Sequence, residues 1–250
     1  MPWTRTYDEA EPQRVNRWLA QSGVCSRREA EALIAQGLVS IDGEIIEDAG
    51  RKILPGQTLT LADAGAAPAL TVMIHKPIGI VSSQPDPGQT PAVRLLTQDR
   101  LWGSSPVIPN FDNRLAPVGR LDMDSRGLLI LSEDGVVAKA VIGPASDLEK
   151  EYLVRVRGQI TGKKLDKLCH GLELDGRQLR PAQVTSVSDG QLRFILKEGR
   201  NRQIRRMCEL VELRVTDLFR IRVGPLHLDA LPEGKWRPLS PEERAALIAS

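Results

Sequence analysis

The sequence holds little of the usual chemical equipment. It has only three cysteines, Cys25, Cys169 and Cys208, odd in number and far apart. That argues against a disulfide framework and sets the expectation of a reducing, cytoplasmic compartment. There are also only three histidines, and no CxxC or HExxH spacing, so there is little material for a metal site. A dinucleotide-binding glycine fingerprint is missing too, so no cofactor is expected. No apolar run approaches the ~18 residues of a membrane span. Residues 1–13 are polar and acidic, so no secretory leader is expected. The net charge is only +2, which does not by itself announce a polyanionic partner.

What is present is a globular composition. The 250 residues are 41% hydrophobic and 26% charged, enough for a sizeable core in one large domain or two modest ones. Of the 34 basic residues, 25 are arginine. The planar guanidinium matches phosphate oxygens and stacks on bases, which an ammonium cannot do.

The punctuation divides the chain in two. Residues 62–70, ADAGAAPAL, are small and have no apolar stripe, so a linker is expected over 63–70. Before it, Val15, Trp18 and Leu19 predict a short helix closed by Gly23. Ser26 with Glu29 reads as a capping box opening a second helix, with Ala30, Leu33 and Ile34 facing inward. Val39 and Ile41 alternate as a strand, Asp42-Gly43 turns it, and Ile45 begins the return. Pro55-Gly56 turns again before Leu59 and Leu61. Residues 1–62 carry seven basic and nine acidic residues. A module of this size is expected to be a binding appendage rather than an enzyme.

Beyond the linker, alternating strands are expected at 71–75, 151–157 and 192–196, and a buried strand at 127–132. Residues 82–91 and 102–114 read as long loops. A helix is expected over 201–211, and another opened by Ser240-Pro241. Many strands with few, separated helices predict an α+β domain on a mostly antiparallel sheet.

Three stretches could carry chemistry. In VGRLDMDSRG, residues 118–127, Asp122 and Asp124 alternate with Arg120 and Arg126 just before a buried strand. From the residues alone this is either a polar turn or a catalytic loop. In KEGRNRQIRR, residues 197–206, five basic residues and one acid lead into a helix N-terminus, a place that attracts phosphate. In EKEYLV, Tyr152 is one of two tyrosines in the chain; a tyrosine so placed is core packing or a site residue.

Taken together and in this order, VGRLDMDSRGLLILSEDG, EKEYLV and LKEGRNRQIRRM resemble the ribosomal RNA pseudouridine synthases. RVNRWLAQSGVCSRREAEALIAQGLVSIDG resembles the αL RNA-binding module of the ribosomal small-subunit protein four superfamily. The resemblance implies an αL module at 13–62, with RNA contacts from Arg14, Arg27 and Arg28, and a synthase domain at 71–240. It implies that Asp122 is the essential residue, that Arg205 is its basic partner, and that Tyr152 stacks under the uracil. Ile204 would wall the base, Arg120 would fill the gap left by a flipped uridine, and Arg200, Arg202 and Arg206 would contact phosphates. Asp124 would be structural. The implied reaction converts a uridine of ribosomal RNA, large-subunit RNA first, to pseudouridine without cofactor or metal, in a monomer acting on RNA or a pre-ribosomal particle. Two other classes are open to the bare residues: a non-catalytic ribosome-assembly factor, and a glycoside hydrolase using two carboxylates.

Overall fold

The computed structural model describes residues 3–22, 24–25, 27–62, 69–105, 107–109 and 113–249. The expected helix end at Gly23, the cap at Ser26 and most of the 63–70 linker lie outside the described residues. The chain divides into two compact units, Met1–Ala69 with Asp134–Val136, and Leu70–Glu133 with Val137–Ser250.

In the first unit, α1 spans Val15–Gln21 and α2 spans Arg27–Ala35. An antiparallel sheet runs in the order Trp3–Thr6, Thr58–Leu61, Val39–Ile41, Glu44–Ile45. The apolar positions predicted from spacing (Val15, Trp18, Leu19, Ala30, Ile34, Val39, Ile41 and Leu59) share one core. The hairpin turn needs left-handed backbone at both positions, and Asp42 (φ +51°) and Gly43 (φ +87°) adopt it. The Asp42 carboxylate accepts from the Thr58 amide at 2.7 Å, which fixes the neighbouring strand. No pattern of apolar residues marks the first strand, Trp3–Thr6. It is nevertheless hydrogen-bonded to Thr58–Leu61, and just after it Tyr7 meets the Trp18 ring edge to face at 5.3 Å. The return strand is Glu44–Ile45, beginning one residue before the expected Ile45, which is 61% exposed.

The second unit is built on a sheet in the order Gln183–Ser188, Gln191–Leu196, Lys150–Arg157, Arg214–Val223, Arg126–Ser132, Thr71–Lys76, Trp236–Pro238. Every neighbour on this path is antiparallel except Arg126–Ser132 with Arg214–Val223. Ala116–Val118 and Leu226–His227 pair alongside the path. The helices are α3, Gly135–Ile142; α4, Gly162–Cys169; α5, Gln203–Leu210; and α6, Pro241–Ala249. The fold is α+β with a mostly antiparallel sheet.

The continuous run GLLILS is buried because the sheet is covered on both faces. Leu129 and Leu131 enter one core, while Leu128 and Ile130 enter the other. Thr71–Lys76 does the same: Val72 and Ile74 on one side, Met73 on the other. The alternation expected of that strand is absent, since all six of its residues are buried. Arg214–Val223, at the centre of the sheet, is the main element missed, along with α3 and α4. Its sequence RVTDLFRIRV places charges on both sides of the alternation, which hides it from an apolar pattern.

One glycine fixes how the sheet is assembled. At the parallel crossing Gly127 stands opposite Arg220. A Cβ on Gly127 would lie 2.2 Å from the Arg220 carbonyl oxygen and 2.7 Å from its nitrogen, and Gly127 has φ +115°. Only glycine admits both the backbone angle and the approach. Gly127→Ala is therefore expected to destabilise the protein by ~2–4 kcal/mol. Thermal or urea denaturation checks this, and an unchanged midpoint contradicts it.

Candidate active site

A cleft of about 1050 Å³ opens in the second unit. Its floor is one face of the sheet. Lys150 and Tyr152 are two apart on one strand, so they share that face. They stand opposite Leu196 and Phe194 on one neighbouring strand, and Tyr152 stands opposite Arg220 on the other. The register slips between Glu151 and Tyr152, where their partners are Arg222 and Arg220. This bulge turns two arginines at i and i+2 to opposite faces. Arg220 lines the cleft with Leu218, while Arg222 pairs with Glu151 on the other side at 2.8 Å.

The loop over this floor is held by its backbone. Arg220, 2% exposed, donates from Nε to the Leu128 carbonyl (2.7 Å) and from its two Nη atoms to the carbonyls of Gly119 (2.9 Å) and Arg120 (3.3 Å). The Ser82 hydroxyl donates to the Leu121 carbonyl at 2.7 Å and accepts from the Leu121 amide at 2.9 Å. The fully buried Lys76 ties the preceding turn, donating to the carbonyls of Pro77 and Ile80 at 2.7 Å each. Burial lowers the Lys76 ammonium to about 8, against the opposing pull of Asp122 and Asp124. The outcome is a rigid loop that carries Asp122 on the cleft wall with its side chain 37% exposed.

The opposite wall runs from Lys197 into α5. Arg202 takes left-handed backbone (φ +49°) just before the helix. Its guanidinium forms two 3.1 Å hydrogen bonds to Asp124 and stands 3.6 Å from Asp122 Oδ2. Arg205 donates to the Asp124 carbonyl at 2.7 Å and lies 3.3 Å from its Oδ2. Burial raises the Asp124 carboxyl, but the Arg202 hydrogen bond and the Arg205 charge outweigh it and hold it below the usual range.

The sequence-derived site residues divide as follows. Asp122, Tyr152, Arg205, Ile204, Arg120, Arg200 and Arg202 all line the cleft. Arg205 pairs with Asp124 rather than Asp122, and the guanidinium beside Asp122 belongs to Arg202. The first turn of α5 places Arg205 under the loop backbone, whereas Arg202 precedes the helix and reaches both carboxylates. Arg200 is used internally, donating to the carbonyls of Leu174, Arg177 and Gln178 and pairing with Glu198. Arg206 forms a two-pronged pair with Asp175, at 2.6 and 2.9 Å. Both therefore serve as braces in this structure. Arg120 is exposed, and its guanidinium makes no hydrogen bond or ion pair among the described residues. Arg14, Arg27 and Arg28 lie exposed on the first unit.

Sequence reading missed Lys150, Arg220 and Ser82. Lys150 carried one usable signal, its two-residue spacing from Tyr152. Nothing in RVTDLFRIRV singles out Arg220 from the other arginines. No group of His, Cys, Asp and Glu that could hold a metal occurs among the described residues.

Known proteins share this arrangement of chain. A family model described as RNA pseudouridylate synthase matches residues 70–210, and one described as S4 domain matches residues 13–59. A dual-specificity RNA pseudouridine synthase RluF from Salmonella typhi is 33% identical, covering 92% of this chain and 76% of its own length. A ribosomal large subunit pseudouridine synthase B from Bacillus subtilis (strain 168) is 31% identical, covering 95% and 96%. A crystal structure of a pseudouridylate synthase superposes with a TM-score of 0.66 at 26% identity, covering 94% of this chain and 99% of that one.

The Asp124 pairing has a sign. A carboxyl whose folded value is depressed contributes stability above the ordinary carboxylate range and loses it as pH falls through the folded value. Asp124→Asn is expected to flatten the fall of melting temperature below about pH 4. Parallel wild-type and variant curves there contradict the pairing.

Proposed function

This chain belongs to the RNA pseudouridylate synthase family and is an isomerase, an RNA pseudouridine synthase; from that premise we propose that its substrate is a uridine of ribosomal RNA, with large-subunit RNA the first choice. The observation that carries this reading is the cleft itself: a half-buried carboxylate, Asp122, held among arginines over an apolar and aromatic floor. The large-subunit choice follows the name of the Bacillus subtilis relative.

The reacting bond of a stacked uridine is inaccessible, so the nucleotide must leave its helix. Arg120, exposed and without a partner for its guanidinium among the described residues, fills the space left in the RNA. The extruded base lies on Tyr152 with Ile204 beside it. The C1′–N1 bond breaks and its electron pair stays on uracil. Asp122 either bonds to C1′ or takes the ribose 2′ proton to leave a glycal; both routes stay open. The uracil then turns and joins C1′ through C5, displacing the Asp122 carboxylate on the first route or, on the glycal route, with Asp122 returning its proton to C2′; C5 loses its proton while N1 gains one. Tyr152 is placed to handle that exchange. Arg202, 3.6 Å from Asp122, orients the carboxylate. The balance needs no external reactant.

The first unit docks on structured RNA through Arg14, Arg27 and Arg28, and its tether raises the enzyme's local concentration there. The protein acts as a cytoplasmic monomer on ribosomal RNA, free or in an assembling particle. A non-catalytic assembly factor would have no use for Asp122, Tyr152 and the α5 arginines around one cleft.

Asp122→Asn is expected to bind ribosomal RNA as the wild type does while product formation falls by at least ~10³-fold. Nucleoside analysis of treated RNA checks this, and normal pseudouridine yield from the variant refutes it. Removing residues before Ala62 should weaken RNA affinity more than it slows the bound reaction. Equal losses in both count against a docking role.

A further inference from the structure

The cleft floor holds a second cation whose position the loop does not explain. Lys150 is 8% exposed and lines the cleft beside Tyr152. Arg220, its neighbour on the same face, spends its guanidinium on three carbonyls. Lys150 makes a single long hydrogen bond, 3.3 Å to the Leu148 carbonyl, and no ion pair among the described residues. Its ammonium therefore has protons to spare on the floor of the cleft. Burial first and Arg220 second lower its pKa, so holding a cation there is unfavourable in the empty protein. Such an arrangement becomes favourable when negative charge develops beside it.

We propose that Lys150 is a further catalytic residue, contacting the uracil and stabilising the negative charge that gathers on it as the C1′–N1 bond breaks. The inference rests on the isomerase reading above. When the bond breaks, the electron pair left on N1 spreads onto O2 and O4, giving a uracil anion. The charge ends when C5 bonds to C1′ and a proton reaches N1. A phosphate is a poorer occupant for this ammonium. The Lys150 and Tyr152 side chains share the floor, so a base resting on Tyr152 brings its oxygens to the lysine. The sugar–phosphate chain stays toward the cleft mouth, where Arg120 and Lys197 are exposed. The Leu148 carbonyl and the strand register with Leu196 and Val223 fix the lysine in place.

Lys150→Met keeps the length and removes the charge. With saturating enzyme and ribosomal RNA, the single-turnover rate should fall about 100-fold while RNA affinity stays within about twofold. Fluorine at C5 makes the departing base a weaker base, so it needs less help. With 5-fluorouridine-substituted RNA, measured as loss of that nucleoside, the variant's deficit should shrink to about tenfold or less. Lys150→Arg should recover part of the rate. If Lys150→Met does not fold, Lys150→Gln takes its place in the same comparison. Weakened affinity with an unchanged rate assigns Lys150 to phosphate and overturns the proposal. So does a deficit of equal size on both RNAs. Wild-type protein that leaves every uridine intact removes the isomerase reading itself, which these comparisons within an active enzyme do not.

Discussion

The site depends on one buried guanidinium. Arg220 reaches across the sheet and ties the carbonyls of Gly119, Arg120 and Leu128. These bonds bracket the loop that carries Asp122, joining its start to the strand that follows it. A buried cation with no carboxylate partner among the described residues is costly unless its donors are satisfied. Here carbonyls satisfy them, so the stiffening of the loop and the positive field of the cleft come from the same side chain. Gly127 makes this possible, because only without a Cβ can the two backbones approach at that crossing.

The arginines of the KEGRNRQIRR stretch have separate tasks. Arg200 and Arg206 brace the 173–178 hairpin through its carbonyls and Asp175, and Arg205 holds the loop from beneath. Arg202 stands between Asp122 and Asp124. Asp124 neutralises part of a crowd of like charges at the positive end of α5, and Asp122 keeps a side open to the cleft. Two carboxylates two residues apart thus take unlike roles, set by how many guanidinium donors each receives.

Much of this was legible in the sequence where a pattern had one cause. Helix spacing and an Asp-Gly turn located α1 and the first hairpin. The GLLILS run marked a strand buried on both sides. The interleaved GRLDMDSRG charges marked the loop. Pairing was not legible, because it depends on which strands meet. Arg214–Val223 has charges on both sides of its alternation and so shows no strand pattern, yet it lies at the sheet centre with Arg220 buried. Its bulge at Ile221 decides which arginine faces the cleft, and no local pattern announces a bulge. Trp3–Thr6 is too short and polar to read, and its place comes from pairing with residues 52 to 58 positions away. Arg205 pairs with Asp124, where the resemblance implies Asp122; the two lie only two positions apart, and α5 decides which one it reaches.

The central claim is that this chain converts a defined uridine of ribosomal RNA to pseudouridine through the Asp122 carboxylate. The most direct measurement is a pseudouridine map of ribosomal RNA from cells lacking the gene, restored with either the wild-type chain or one carrying D122N. The account expects a modified position to vanish on deletion and to return only with the wild-type chain. A map that deletion leaves unchanged, or a position that the substituted chain restores, would contradict it.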